Sequence, residues 1–184
     1  RSAYTGALGT SVLKLFDLTA ASTGLNEKQA RAAGVAYDKV VTYSTSHASY
    51  YPGARNMTVK TLFDPASGRI LGAQIVGFDG VDKRMDVLAA AIRAGLTAEQ
   101  LTELDLAYAP PYGSAKDPVN MAGYVIENVR AGLVEQHHWD AVAELPADGS
   151  VILLDVRTPG EVRKQGLLRS DALHIPLDEL CLLY

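Results

Sequence analysis

Residues 106–132 read LAYAPPYGSAKDPVNMAGYVIENVRAG. Tyr108 and Tyr112 flank Pro110-Pro111, Ser114 and Lys116 follow, and Asp117-Pro118 opens a helical pattern. A phenol donates a hydrogen bond and stays neutral near pH 7. Proline locks φ, so the stretch is stiff. A rigid, aromatic loop fixed to the start of a helix is one way to build a site. Yet this loop holds no Cys, no His and no phosphate-binding glycine run. A second tyrosine pair stands in Ser46-His47-Ala48-Ser49-Tyr50-Tyr51-Pro52-Gly53. Spacing alone leaves a half-buried packing role open for each of these tyrosines.

The other chemistry-bearing residues point less sharply. His47 reads as a capping or packing group. His137-His138 stand beside Trp139 with no further ligands clustered there, so no metal site is expected. Asp155 and Arg157 read as a structural ion pair at a strand end. The sequence contains no GxGxxG fingerprint, so no dinucleotide site is expected within it. The single cysteine, Cys181, excludes an internal disulfide framework and suits a reducing, cytoplasmic compartment.

Local sequence patterns set out the strands and helices around these groups. Ser11 to Leu18 is apolar and partly alternating, which predicts a strand. Asn26 and Gln29 are spaced to cap a short helix that Gly34 ends. Lys39 to Ser46 is rich in Val, Thr and Tyr and predicts a second strand. Met57, Val59, Thr61 and Phe63 share one face of a third. Asp64-Pro65-Ala66-Ser67-Gly68 supplies a turn, and Ile70 to Val76 returns as the hairpin partner. Met85, Leu88, Ile92 and Leu96 form a helical stripe of core or dimer surface. Thr97 and Gln100 cap a short helix through Leu104. Asp117 caps a last helix, with Pro118 at its first position and Gly132 after its last turn. Residues 1–134 therefore predict an α+β layer, an antiparallel sheet with helices on one face.

Charge and composition shift near residue 135. The 184 residues carry a net −4 and are 48% hydrophobic and 21% charged. Residues 1–134 hold 13 Lys/Arg against 12 Asp/Glu, while 135–184 hold 4 against 9. Neither half has the basic excess of a nucleic-acid binder, and no apolar run is long enough to span a membrane. The division expected is a domain over 1–134, a linker over 135–147 and a second unit over 148–184. The second unit predicts a strand at Val151-Ile152-Leu153-Leu154, a loop from Asp155, and another strand near Leu173. That is too little apolar surface for an independent core, so 148–184 reads as part of a truncated α/β domain.

Several linked motifs carry a resemblance. Gly9-Thr10-Ser11, Phe16-Asp17 and Thr23-Gly24-Leu25-Asn26-Glu27 resemble the opening of the C-terminal dimerisation domain of FAD-dependent pyridine nucleotide-disulfide oxidoreductases. Gly68-Arg69-Ile70-Leu71-Gly72-Ala73-Gln74 is similar to that domain's hairpin. The segments 46–53 and 108–112 look most like the coenzyme A-disulfide reductases, a branch shared with persulfide reductases, NADH oxidases and NADH peroxidases. Asp155-Val156-Arg157, Glu161, Gly166 and Ile175-Pro176-Leu177 resemble the first part of a rhodanese domain, a known fusion in that branch.

The resemblance implies roles. A parent homodimer would use FAD and NAD(P)H to reduce coenzyme A disulfide or persulfide through a cysteine in another domain. Tyr50 and Tyr108 would reach the partner subunit's site and hydrogen-bond the departing sulfur. Tyr51 and Tyr112 are their near rivals. Pro110, Pro111 and Tyr112 would sit near the partner's flavin, and Tyr51, Ser114 or Lys116 would meet the substrate. These residues alone are expected to bind no cofactor and to lack turnover. Cys181 falls too early to be a rhodanese nucleophile, which is expected beyond residue 184. The alternatives are an NADH oxidase or peroxidase of the same superfamily, or a homodimerising module with a purely structural role.

Overall fold

The computed structural model describes residues 3–180, so Cys181 lies outside the described residues. The chain divides into two units, residues 1–135 and 136–184.

The first unit is built on five antiparallel strands. They are β1 (Ser11–Leu15), β2 (Leu18–Gly24), β3 (Asp38–Thr45), β4 (Asn56–Phe63) and β5 (Ile70–Gly77), in the order β1-β2-β5-β4-β3. The sequence predicts one strand from Ser11 to Leu18, but the chain reverses there. Phe16 adopts φ 52° and Leu15 pairs with Leu18, so Phe16-Asp17 is a two-residue turn. A left-handed phenylalanine is uncommon, which hides the turn from pattern reading. The Ala- and Ser-containing β2 has little strand propensity of its own. Its pairing with β5, Ala21 opposite Ile75, supplies what propensity lacks.

Alternation sends Val40, Val59, Phe63, Ala73 and Ile75 to one buried face, and Ile70, paired with Phe63 past a register shift, joins the same core. Helices α2 (Val81–Ala94), α3 (Ala98–Thr102) and α4 (Pro118–Arg130) cover it. The predicted stripe delivers Met85, Leu88 and Ile92 to this core, joined from α4 by Val119 and Ile126. Burying each such side chain is worth about 1.5–3 kcal/mol. All three expected N-caps form, Asn26 with Gln29, Thr97 with Gln100, and Asp117, whose cap is a full box with Asn120. The third helix ends at Thr102 rather than Leu104. Helix α1 (Glu27–Ala32) contributes Glu27 to Lys39 and Lys60, on the opposite side of the strands from the Val40 and Val59 face.

The second unit is sparse. Strands β6 (Leu154–Asp155) and β7 (Leu173–His174) pair in parallel, with α5 (Pro159–Gln165) between them and α6 (Leu177–Leu180) after. The sequence reading predicts a loop where α5 forms. Thr158 and Glu161 make a reciprocal capping box there, with Pro159 in the first turn. The predicted Asp155–Arg157 ion pair is present at 2.6 Å. Side-chain hydrogen bonds from Arg157 outweigh desolvation and hold the Asp155 carboxyl at about 2. Among the described residues of this unit only Asp155 is buried, so the unit has no dry core of its own. Trp139, Leu153, Leu154, Leu167 and Leu168 line an open concavity of about 660 Å³.

Candidate functional site

Two loops of the first unit carry the tyrosines. One, residues 46–55, joins β3 to β4. Its neck is closed by Ser46 N–H to Arg55 O at 2.8 Å and by Arg55 N–H to the Ser46 hydroxyl at 3.1 Å. Inside it Thr45 Oγ1 donates to His47 O at 2.7 Å, and Tyr51 N–H donates to Ala48 O at 3.0 Å. His47 is buried, with Nδ1 3.1 Å from Ala48 O and its ring edge-on to Tyr51 at 5.8 Å. It packs, as its position in the sequence suggests.

The other loop, residues 103–117, runs from α3 to α4. Pro110 and Pro111 occupy a turn closed by Tyr112 N–H and Gly113 N–H, which both donate to Ala109 O at 2.8 and 3.1 Å. Fixed proline φ suits that turn. Lys83 on α2 supports it from below, with Nζ 3.4 Å from Ala107 O and 3.5 Å from Tyr112 O.

The loops meet at two points. Ala48 N–H donates to Gly113 O at 2.9 Å. Tyr50 and Tyr108, fifty-eight positions apart, bring their hydroxyls to 3.1 Å. Both rings remain open to solvent, 75% and 48% exposed. The hydrogen bond with Tyr50 favours the neutral Tyr108 phenol and raises its pKa above the ordinary tyrosine value. Tyr108 is therefore a donor and not a base near neutrality. One O–H proton is spent between the two rings. The other is free to point at an acceptor brought from outside, such as a sulfur anion.

The remaining predicted residues are less tightly placed. Tyr51 packs its ring edge-on against His47. Tyr112 projects into solvent at 72% exposure, Pro111 is exposed, and Pro110 and Ser114 are half-buried. Lys116 rests its ammonium 4.7 Å from the centre of the Tyr124 ring on α4, a cation–π contact. Among the described residues no group of His, Cys, Asp and Glu could hold a metal.

Sequence reasoning missed Arg84. Its guanidinium is buried beneath both loops and bonded to Asp117 at 2.9 Å. A signal was present: Arg84 falls one turn before Leu88, on the apolar stripe of α2.

The family model of the pyridine nucleotide-disulphide oxidoreductase dimerisation domain matches residues 10–118. The chain belongs to that family. Both tyrosine loops fall inside the matched stretch. The coenzyme A disulfide reductase of Staphylococcus haemolyticus is 46% identical over 121 residues, 66% of this chain and 27% of that protein. A crystal structure of reduced Bacillus anthracis CoADR-RHD superposes with a TM-score of 0.89 at 50% identity, covering 98% of this chain and 32% of that one. An NAD-dependent persulfide reductase from A. fulgidus gives 0.86 at 42%, with the same coverage. The chain thus spans about a third or less of the length of these relatives. In the dimerisation domain the sheet is antiparallel throughout, with no parallel βαβ unit to cradle a pyrophosphate.

Proposed function

We propose that this chain supplies the dimerisation and site-completing part of a flavin-dependent reductase acting on coenzyme A disulfide or coenzyme A persulfide. The observation that carries the reading is the 3.1 Å contact between Tyr50 and Tyr108. Two exposed phenols, held together by stiff loops, suit stabilisation of a thiolate leaving a disulfide or persulfide. The relatives named for those two activities support the substrate class. In a homodimer the pair would face the partner subunit's redox centre, with Pro110, Pro111 and Tyr112 beside its flavin. Tyr51, Ser114 and Lys116 are the residues that would touch the coenzyme A portion.

FAD and NAD(P)H are the cofactors this reading requires. The residues here do not fit either dinucleotide, since the antiparallel sheet offers no nucleotide-binding turn, and no step is routed through them. Residues 1–134 form the dimerisation domain in this proposal, 135–147 the linker and 148–184 the first part of a rhodanese-like domain. The parallel β6–β7 pair and the Asp155–Arg157 bond support the last assignment. A reducing cytoplasmic setting suits such a reductase.

Replacing each phenol by phenyl in the full-length enzyme tests the reading. Tyr108→Phe and Tyr50→Phe are each expected to lower kcat by about 100- to 1,000-fold with the fold intact. Turnover of both disulfide and persulfide at the unmodified rate in the double variant would sink it.

A further inference from the structure

Among the described residues Arg84 is the sole buried lysine or arginine, 1% exposed. It stands on the face of α2 that also carries Val81, Met85 and Leu88. A buried ion pair seldom stabilises a fold more than apolar side chains of the same volume. What a guanidinium provides is direction, because its planar fork fixes several acceptors at once.

The acceptors here are not scattered. Nε and Nη2 donate to the Asp117 carboxylate at 3.1 and 2.9 Å. Nη2 donates to Ser46 O at 2.8 Å, and Nη1 to Gly80 O at 3.2 Å. Ser46 is the root of the Tyr50 loop. Asp117 is the last residue of the Tyr108 loop and the N-cap of α4. Gly80 precedes α2 itself. One rigid group therefore ties the bases of both tyrosine loops to a single helix. The Ala48–Gly113 bond closes the same frame above it.

We infer that Arg84 is a positioning residue, which sets the spacing of Tyr50 and Tyr108 by clamping Ser46 and Asp117 together. The functional importance of that spacing rests on the reading proposed above, but the spacing itself is a property of this chain. A purely structural ion pair makes a different prediction. Its loss would lower stability and leave the tyrosine pair unchanged in whatever protein stayed folded.

The experiment is a tyrosine ¹³Cζ NMR titration of the 184-residue chain, with the Tyr50 and Tyr108 signals assigned through their Phe variants. Arg84→Lys keeps the positive charge but loses the fork. Tyr108 should then titrate lower, towards the ordinary tyrosine range, and stop responding to Tyr50→Phe. A cooperative unfolding transition and unchanged circular dichroism would show that the variant is folded. Asp117→Asn retains a capping acceptor for α4 and is read the same way if Arg84→Lys does not fold. A folded variant of either kind whose Tyr108 still titrates as in the parent and still responds to Tyr50→Phe overturns the inference. Undiminished turnover of the tyrosine variants in the full-length enzyme is a separate result. It would remove the proposed function and leave the role of Arg84 in spacing the pair standing.

Discussion

Gly80 and Arg84 occupy each other's space. Gly80 has φ +66°, and a Cβ placed on it would overlap Nη1 of Arg84, the same atom that donates to the Gly80 carbonyl. The glycine is thus needed twice, for its left-handed backbone and for the guanidinium lying across it.

Gly80→Ala is therefore expected to cost more than the backbone strain alone. Left-handed strain accounts for about 1–2 kcal/mol. Displacing the guanidinium also loosens hydrogen bonds to a buried carboxylate, which adds about 1–3 kcal/mol. Urea unfolding should show a loss above 2 kcal/mol. A loss near 1 kcal/mol would mean that Arg84 shifts aside freely.

A second prediction concerns acid. Burial would push the Glu27 carboxyl up, but hydrogen bonds and attraction from Lys60 and Lys39 outweigh it and hold the group at about 2, against an ordinary value of 4.5. A carboxyl lowered in the folded state stabilises the fold fully above its unfolded pKa. The contribution fades as pH falls from about 4.5 towards about 2. Glu27→Gln should lower stability at neutral pH by about 1–2 kcal/mol, because Lys39 and Lys60 lose a hydrogen-bonded carboxylate. The variant's stability should also change less across that acid window. Parallel curves for the two proteins from pH 5 to pH 2 would show that Glu27 is solvated in the native state.

Much of this architecture was legible because its signals are local. Capping boxes involve residues three apart, so Asn26, Thr97 and Asp117 announce their helices. The Asp64–Gly68 turn and the flanking alternation announce the β4–β5 hairpin. The Phe16-Asp17 reversal was not legible, since no glycine or asparagine marks it and the apolar pattern runs up to it. The box at Thr158 and Glu161 was local and readable, but the loop-like Asp155 to Gly160 composition obscured it. Tyr50 and Tyr108 became candidates through family motifs, since nothing in their spacing fixes a contact across fifty-eight positions. Arg84 illustrates the remaining limit. A cation on an apolar stripe signals burial, but its acceptors, the Ser46 and Gly80 carbonyls and the Asp117 side chain, are known only once the chain is folded.

Gly123 gives a case where two physical effects oppose each other. It lies in the middle of α4, where alanine is ordinarily preferred by about 1 kcal/mol for its lower unfolded-state entropy. Propensity alone predicts that Gly123→Ala stabilises the domain. The neighbours decide otherwise. A Cβ on Gly123 would sit 2.7 Å from Ala98 O and 3.0 Å from the Leu101 and Thr102 side chains on α3. The closest of these atoms is backbone and cannot rotate away, so the helices must separate. Overpacking of this kind costs about 1–3 kcal/mol. The same helices are joined by Asn120 Nδ2, which donates to Leu101 O at 2.9 Å and Leu104 O at 3.0 Å, so separation strains those bonds as well. Gly123→Ala is expected to lower stability by about 1–2 kcal/mol in thermal or urea unfolding. A gain would show that α3 tilts aside at no cost and that the close approach of the two helices is not required by the fold.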